Sequence, residues 1–279
     1  MKDNNSPFIF IMMSTYNRPE LAVRAVKSIL QQEYQNYKLK IFNDGSTEDY
    51  SELESIIFGN PKIEYITSNN VGLNRAKNIM LDSFELDENV GNAYLCVLDD
   101  DDYFKEDAFL VFINNVNIYN DSWFCFNVEK KDSLVNNEVK QYQDIKNISY
   151  REFREDFHGD THILLKSSIV SNLRYPKFFF KNGFEHIYYF QIKSDIKIIP
   201  QTVKIIEYQV DGLSDTGMYK EMGSINMICK HILIDPVRPD YYIWLGKELM
   251  RYFKPKNIIK RIISEERYYR IKCFFGFKK

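Results

Sequence analysis

The sequence predicts an α/β fold in which helices flank an open, mostly parallel central sheet. Short apolar runs alternate with stretches of helical spacing through the first half of the chain. Two of these runs, residues 8–13 and 94–98, are unbroken, as expected of parallel strands covered on both faces. Polar clusters follow the strands, and ligands of such sheets collect at the carboxyl ends of the strands. We therefore expect one binding crevice along that edge.

The first half contains four predicted strands, each followed by a helical pattern. The strands are expected at residues 8–13, 38–42, 63–67 and 94–98. Pro19 suits the first turn of a helix over residues 20–32, whose apolar positions recur at helical spacing. A turn at residues 43–46 precedes a short acidic helix, and longer helices are expected over residues 73–86 and 105–116.

The second half is less regular, and its elements are predicted from weaker patterns. Strands are expected at residues 122–128 and 158–165, with one or two more within residues 196–208. Residues 130–147 are polar and predict a loop, residues 184–192 predict a helix, and the pattern is helical from about residue 218.

Charge and composition exclude several classes of protein. The net charge of −2 gives no general case for nucleic-acid binding, and no stretch approaches the ~20 apolar residues that span a bilayer. Cys96 and Cys125 lie in apolar runs, and none of the four cysteines has zinc-like spacing, which favours reduced thiols in a cytoplasmic protein. No signal peptide is expected.

Residues 247–279 carry eleven Lys or Arg against three Glu, a basic tail on an acidic chain.

Four consecutive aspartates, residues 99–102, follow the last strand of the first half. Adjacent carboxylates repel one another unless a positive group lies among them. Hard oxygen ligands favour Mg²⁺ or Mn²⁺, which take further ligands from substrate phosphates. The alternative is a solvated acidic turn before the next helix.

Four ordered stretches resemble the motifs of family 2 glycosyltransferases with the GT-A fold. They are residues 11–18 (IMMSTYNR), 43–47 (NDGST), 70–78 (NVGLNRAKN) and 98–102 (LDDDD). The resemblance implies a Rossmann-like GT-A catalytic domain over residues 1–215, with a nucleotide-sugar-binding half at 1–120 and an acceptor half at 121–215. Residues 216–279 would then form a C-terminal helical basic extension.

The resemblance also implies residues that bind the nucleotide-sugar. In this family the loop holding Thr15, Tyr16, Asn17 and Arg18 cradles the base, and Tyr16 is placed to stack on uracil; the alternative is a core aromatic. Asp44 matches the acidic residue that accepts a hydrogen bond from the base.

Further family positions concern the sugar and the metal. Arg75 resembles the basic residue that approaches the sugar-nucleotide, although a surface ion pair is the alternative. Asp99 and Asp101 match the ends of the D-x-D motif. Asp101 is the expected ligand of Mn²⁺ or Mg²⁺, and Asp99 or Asp100 is expected to contact the ribose or to assist through water.

Two acidic residues in the second half are candidates for catalysis. Glu185 resembles the family's general base, although His186 follows it where many relatives have Asp, which leaves the choice between the two open. The alternative for Glu185 is an ordinary acid at a helix N-terminus. Asp160 is the second candidate, on the acceptor side or positioning the base. Residues 212–215 resemble a loop that closes over the diphosphate.

The resemblance thus implies an inverting, metal-dependent transfer of a sugar from a nucleotide-sugar, with UDP favoured over GDP or dTDP. The acceptor would be a saccharide or a lipid-linked saccharide of surface polysaccharide biosynthesis. The basic tail suits the inner face of the plasma membrane, or a helix packed on the catalytic domain. The alternatives are a nucleotidyltransferase, whose glycine-rich phosphate loop is missing, and an inactive scaffold subunit of a polysaccharide assembly complex.

Overall fold

The computed structural model describes residues 6–131, 139–155, 160–177, 184–207 and 221–252, which form nine strands and nine α-helices. The strands are β1 (Phe8–Thr15), β2 (Tyr37–Asn43), β3 (Ile63–Thr67), β4 (Ala93–Val97), β5 (Tyr103–Phe104), β6 (Trp123–Lys130), β7 (Lys146–Ile148), β8 (His162–Lys166) and β9 (Ile196–Ile206). The helices are α1 (Pro19–Leu30), α2 (Ser51–Ile57), α3 (Leu73–Glu85), α4 (Ala108–Tyr119), α5 (Tyr150–Glu155), α6 (Ser167–Val170), α7 (His186–Phe190), α8 (Glu221–Ile234) and α9 (Pro239–Tyr252).

The strands make one sheet in the order β3-β2-β1-β4-β8-β6-β9-β5, and β7 also pairs with β9. The first four strands of this order are parallel, as the alternating pattern predicts. Strand β8 runs antiparallel to both β4 and β6, while β6 and β9 are parallel. The α/β fold class predicted from the sequence is confirmed.

The apolar strands β1 and β4 are central because both of their faces are covered. Residues 8–13 of β1 and 93–96 of β4 are buried. Helix α1 begins at Pro19, as predicted, and turns its apolar stripe, including Val26 and Ile29, into the same core. This packing fixes the carboxyl ends of the parallel strands at one edge of the sheet.

Three predicted boundaries or elements are wrong, two of them because of pairing with β9. The helix expected at residues 105–116 begins at Ala108, because Tyr103 and Phe104 pair with β9 as the short strand β5. The predicted loop over 130–147 contains the start of β7, whose three residues also pair with β9. The expected helix at 184–192 is shortened to α7 by a backbone with positive φ at Phe184.

Strand β9 is eleven residues long and contacts strands from three parts of the chain. It pairs with β6 along one side, while β7 and β5 pair with the opposite ends of β9. Its carboxyl half therefore runs beside the segment that follows the four aspartates, and this brings Lys204 to them.

The chain separates into two compact units, Met1–Gly217 and Met218–Lys279. The second contains α8 and α9, which pack against each other; the ring of His231 lies 5.1 Å from that of Tyr241. None of the helices in the described ranges combines the length and apolar character needed to cross a bilayer. The predicted loop at 212–215 and the basic tail beyond residue 252 lie outside the described residues.

Gly45 provides a test of the turn after β2. It has φ +78°, and a Cβ atom there would lie 2.4 Å from the backbone nitrogen of Asn70. Gly59 has φ +70° but no atom within 4 Å of its ideal Cβ. We expect Gly59→Ala to lower the free energy of unfolding by about 1–2 kcal/mol through backbone strain alone. Gly45→Ala should cost clearly more, because the Asn70 backbone must also move. Urea denaturation compares them, and equal losses would contradict the close approach.

Candidate active site

The loop after β1 is tied to the loop after β2 through Asn17. Asn17 has φ +54°, a conformation that asparagine tolerates better than most residues. Its backbone N–H donates to Ser46 Oγ at 2.9 Å, and its side-chain Oδ1 accepts from the Thr47 N–H at 2.8 Å. Tyr16, next to it, is 48% exposed, so the alternative that it is a core aromatic is wrong. An exposed ring on a fixed loop is available to stack on a planar ligand.

The hydroxyl of Tyr50 is hydrogen-bonded to two residues of the same loop. It shares a 2.7 Å hydrogen bond with Thr15 Oγ1 and accepts a 3.0 Å bond from the Arg18 backbone N–H. Thr15 and Tyr50 are both buried. The loop therefore holds Thr15 inside while it carries the Arg18 side chain toward the aspartates.

Asp44 is buried and fixes a third loop. Its Oδ1 accepts from the Val71 N–H at 2.6 Å and its Oδ2 from the Gly72 N–H at 2.9 Å. Gly72, at φ +90°, directs the chain into α3. Both carboxylate oxygens thus already accept backbone hydrogen bonds, and the predicted contact between Asp44 and a base would use their remaining lone pairs. Arg75 is exposed on the first turn of α3.

The four aspartates are paired with cations of the chain itself. Arg18 Nη1 lies 3.2 Å from Asp100 Oδ1 and 2.9 Å from Asp101 Oδ2. Lys77 Nζ lies 3.5 Å from Asp99 Oδ1, and Lys204 Nζ lies 2.5 Å from Asp102 Oδ2. The carboxylate repulsion noted in the sequence is therefore relieved at least in part by three basic side chains. Asp100 and Asp102 are buried, unlike the carboxylates of a solvated acidic turn, whereas Asp99 is half-exposed.

The pKa values of these carboxyls differ because their surroundings differ. Burial, together with the charges of Asp99 and Asp100, raises the pKa of Asp101 to about 6, although Arg18 opposes this. Burial also raises the pKa of Asp100. Partial desolvation has the same tendency at Asp99, whose side chain is 52% exposed, but the positive charges of Lys77, Lys204 and Arg18 outweigh it and hold the pKa below its ordinary value.

Arg24 holds the backbone of the aspartate loop. Its Nη2 donates to the Asp101 carbonyl at 2.6 Å, and its guanidinium lies 4.7 Å from the centre of the Tyr103 ring. Its Nη1 also pairs with Glu207, just after β9. The loop is thus fixed through its main chain as well as through its carboxylates.

Glu185 lies at the start of α7 and contacts Lys77 rather than its own helix. Its Oε2 is 2.8 Å from Lys77 Nζ, and its side chain makes no capping bond to α7. Burial raises the pKa of Glu185, opposed by the charge of Lys77. Glu185 thus lies at the N-terminus of α7, as its alternative interpretation expects, but its carboxylate pairs with Lys77.

The two other catalytic candidates have different surroundings. Burial lowers the pKa of His186 to about 4, so its imidazole is neutral near pH 7. Asp160 is exposed, and its negative charge helps to raise the pKa of Lys204. Asp160 therefore lies near the Lys204–Asp102 pair and stays a candidate for the acceptor side.

Four of these residues were not singled out from the sequence: Arg24, Tyr50, Lys77 and Lys204. One signal was available for Lys77, which lies on the same helical stripe as the buried Leu81 and Phe84. A lysine on the buried stripe of a helix needs a partner. Lys204 lies between apolar residues of β9, but its partner is 102 residues away in sequence, and no local pattern indicates it.

Comparison with known proteins identifies the family of the chain. The family model for Glycosyl transferase family 2 matches residues 10–183, more than half of the chain. The chain belongs to glycosyltransferase family 2. The fold of this family 2 member is similar to that of S. aureus TarS 1–349 in complex with UDP-GlcNAc. The match has a TM-score of 0.68 and 10% identity, and it covers 93% of this chain and 77% of that TarS chain.

Relatives of this family 2 chain match it over part of their length. The putative colanic acid biosynthesis glycosyl transferase WcaA of Escherichia coli is 36% identical over 39% of this chain and 38% of WcaA. The GalNAc(5)-diNAcBac-PP-undecaprenol β-1,3-glucosyltransferase of Campylobacter jejuni is 25% identical over 63% and 57% of the two chains. An uncharacterized glycosyltransferase of Rickettsia conorii is 35% identical over 37% of this chain and 16% of its own length. The match thus spans less than half of the WcaA and Rickettsia proteins.

Breaking the Lys204–Asp102 pair tests whether it holds the aspartate loop of this family 2 chain. Both side chains are less than 10% exposed. We expect Lys204→Met to lower the free energy of unfolding by about 3–5 kcal/mol, because Asp102 is left buried without its counter-charge. Asp102→Asn in the same chain should restore part of the loss.

Lys197 on the same strand is the matched control. It pairs with Asp121, which is 38% exposed, at 3.4 Å. We expect Lys197→Met to cost about 1 kcal/mol or less by urea denaturation. Similar losses for the two lysine variants would contradict the structural importance of the buried pair.

Proposed function

We propose that the chain is a metal-dependent, inverting glycosyltransferase that moves a sugar from a UDP-sugar to a saccharide or lipid-linked acceptor. The observation that carries the proposal is the connection between the aspartates and Glu185. Lys77 lies 3.5 Å from Asp99 and 2.8 Å from Glu185, so a group suited to bind a donor and a group suited to accept a proton share one crevice. Membership of the family supports the reaction class.

The donor site would be built from the loops after β1, β2 and β4. The exposed ring of Tyr16 would stack on the base, and Thr15, Asn17 and Asp44 would shape the pocket around it. Arg18 and Arg75 are the basic groups available to a diphosphate. Crystal structures of TarS with UDP-GlcNAc and with UDP support UDP as the nucleotide.

The chemistry of the aspartates fits a divalent metal that takes most of its ligands from the substrate. Within the described ranges, no three acidic, histidine or cysteine side chains are grouped to hold an ion by themselves. Asp101 is 21% exposed and is the proposed ligand, and Asp99 or Asp100 is the proposed contact of the ribose. Bound Mn²⁺ or Mg²⁺ would neutralise charge on the departing diphosphate. Arg18, which now bonds to Asp101, would then be released toward the phosphates.

Glu185 is the proposed general base, with Asp160 as the second candidate. The acceptor oxygen attacks the anomeric carbon, the bond from that carbon to the diphosphate breaks, and the acceptor proton passes to Glu185. Attack opposite the leaving group inverts the configuration. The raised pKa of Glu185 makes it a stronger proton acceptor than an ordinary glutamate.

The proposed setting is surface polysaccharide biosynthesis at the inner face of the plasma membrane. The description of WcaA refers to colanic acid, and that of the Campylobacter jejuni relative to a saccharide on undecaprenyl diphosphate. The basic residues beyond 252 would meet anionic lipids that carry such an acceptor.

Nucleotide titration tests the donor site. We expect UDP to bind with Mn²⁺ present and to bind at least tenfold more weakly to Asp101→Asn, because the metal loses a charged ligand. Calorimetry with UDP, GDP and dTDP, with and without Mn²⁺, gives the affinities. Asp107→Asn is the matched control, since Asp107 is exposed just before α4 and should leave affinity unchanged. No nucleotide binding under any condition would favour the inactive scaffold.

Replacement of the proposed base tests the chemical step. We expect Glu185→Gln to lower kcat by about 10²–10⁴-fold, with UDP affinity unchanged. The base must be ionised, so kcat/KM should fall as the pH drops through the raised pKa of Glu185, above the usual value of 4.5. Were His186 the base, the fall would come at about pH 4 and His186→Asn would abolish turnover instead.

A further inference from the structure

Lys77 is an ammonium group almost closed off from water. It lies on α3 with 2% of its side chain exposed, and its Nζ is 5.6 Å from the centre of the Tyr175 ring. Burying a lone charge is costly, so a lysine in this position needs carboxylate partners. Asp99 and Glu185 provide them, one from the loop after β4 and one from the start of α7.

The ammonium group divides the two oxygens of Glu185 between different surroundings. Oε2 is held by Lys77, whereas Oε1 has no hydrogen-bond partner among the residues that the structure describes. A carboxylate held by one oxygen has a fixed plane, and its second oxygen, buried and without a partner here, needs a hydrogen-bond donor. In the proposed reaction, the hydrogen-bond donor for this oxygen is the hydroxyl group of the sugar acceptor.

We propose that Lys77 is a positioning residue for the transfer, which fixes Glu185 through Oε2 and leaves Oε1 to receive the proton. The inference rests on the proposed function. Lys77 also contacts Asp99, and it therefore connects the proposed base to the part of the crevice that would bind the nucleotide-sugar.

Charge adds to this geometry. The groups facing Glu185 are Lys77 from α3, Asp99 from the loop after β4, and the phenols of Tyr175 and Tyr189. Lys77 is the positive one among them. Burial favours the neutral form of Lys77, but Glu185 and Asp99 outweigh burial and raise its pKa, so it stays charged. Removal of that charge should let Glu185 hold its proton to a higher pH.

The titration of Glu185 is the direct test, and it does not require turnover. Glutamate labelled with ¹³C at the carboxyl carbon gives one signal per residue, and the signal lost in Glu185→Gln identifies Glu185. We expect Lys77→Met to raise the pH at which Glu185 titrates by about 1–3 units. Lys77→Arg keeps the charge, so in this variant Glu185 should titrate at nearly the wild-type pH. An unchanged titration in Lys77→Met would overturn the proposal.

A second measurement covers the case in which Lys77→Met does not fold. In the wild-type protein, the ¹⁵N signal of the Lys77 ammonium group should shift at the pH where Glu185 titrates. The same shift should be missing in Glu185→Gln. A Lys77 signal that is insensitive to Glu185 would show that the pair does not interact, and the proposal would fall.

Kinetics separate positioning from a merely structural role. We expect Lys77→Met to lower kcat at least tenfold and to move the acid limb of kcat/KM to higher pH. In the Glu185→Gln background it should cause little further loss, since the two residues act as a unit. The matched control is Lys27→Met, which removes an exposed ion pair with Glu52 and should change neither quantity.

The outcomes keep the inference and the proposed function apart. Full additivity of the two losses, or an active Lys77→Met enzyme with an unshifted pH profile, overturns the inference and leaves the proposed function standing. A wild-type protein that binds no nucleotide overturns the proposed function and the inference with it.

Discussion

Four consecutive carboxylates at the end of a buried strand are the constraint around which the first unit is organised. Their mutual repulsion has to be balanced, and the described part of the chain does so with Arg18, Lys77 and Lys204. These cations come from the loop after β1, from α3 and from β9. Each ion pair therefore connects the aspartate loop to a different element, and the same interactions that relieve repulsion also fix the crevice.

The remaining loops are held by neutral groups and by one buried carboxylate. Tyr50 supports the loop after β1, while Asp44 accepts hydrogen bonds from the two backbone N–H groups that directly precede α3. As a result the polar side chains of the crevice stand on loops whose main chains are already bonded. Such a site costs little further ordering when a ligand binds.

The first half of the fold was predictable because its signals are local. Alternating apolar strands and helical spacing identify β1 to β4 with their helices, and Pro19 fixes the start of α1. The second half depends on pairing with β9, between segments far apart in sequence. Strands as short as β5, with two residues, leave no periodic pattern, so they could not be predicted.

The candidate site divides in the same way. The aspartates and the loop at residues 15–18 follow strands and belong to ordered motifs, so the sequence indicates them. The partners of the aspartates do not: the attraction between Lys204 and Asp102 acts only once β9 lies beside the aspartate loop. The sequence predicted that the carboxylates need positive charge among them and indicated a metal ion, which stays a prediction. It did not indicate the lysines.

The length of β9 limits how segments can be recombined between related chains. One strand pairs with β5, β6 and β7 and also delivers the cation for Asp102. A recombinant that takes its first 120 residues from this chain and the rest from a relative would inherit the aspartates without their counter-charge. A functional recombinant must therefore have a basic residue at the position equivalent to Lys204. The sequence of β9 thus limits which C-terminal segments can be combined with these aspartates.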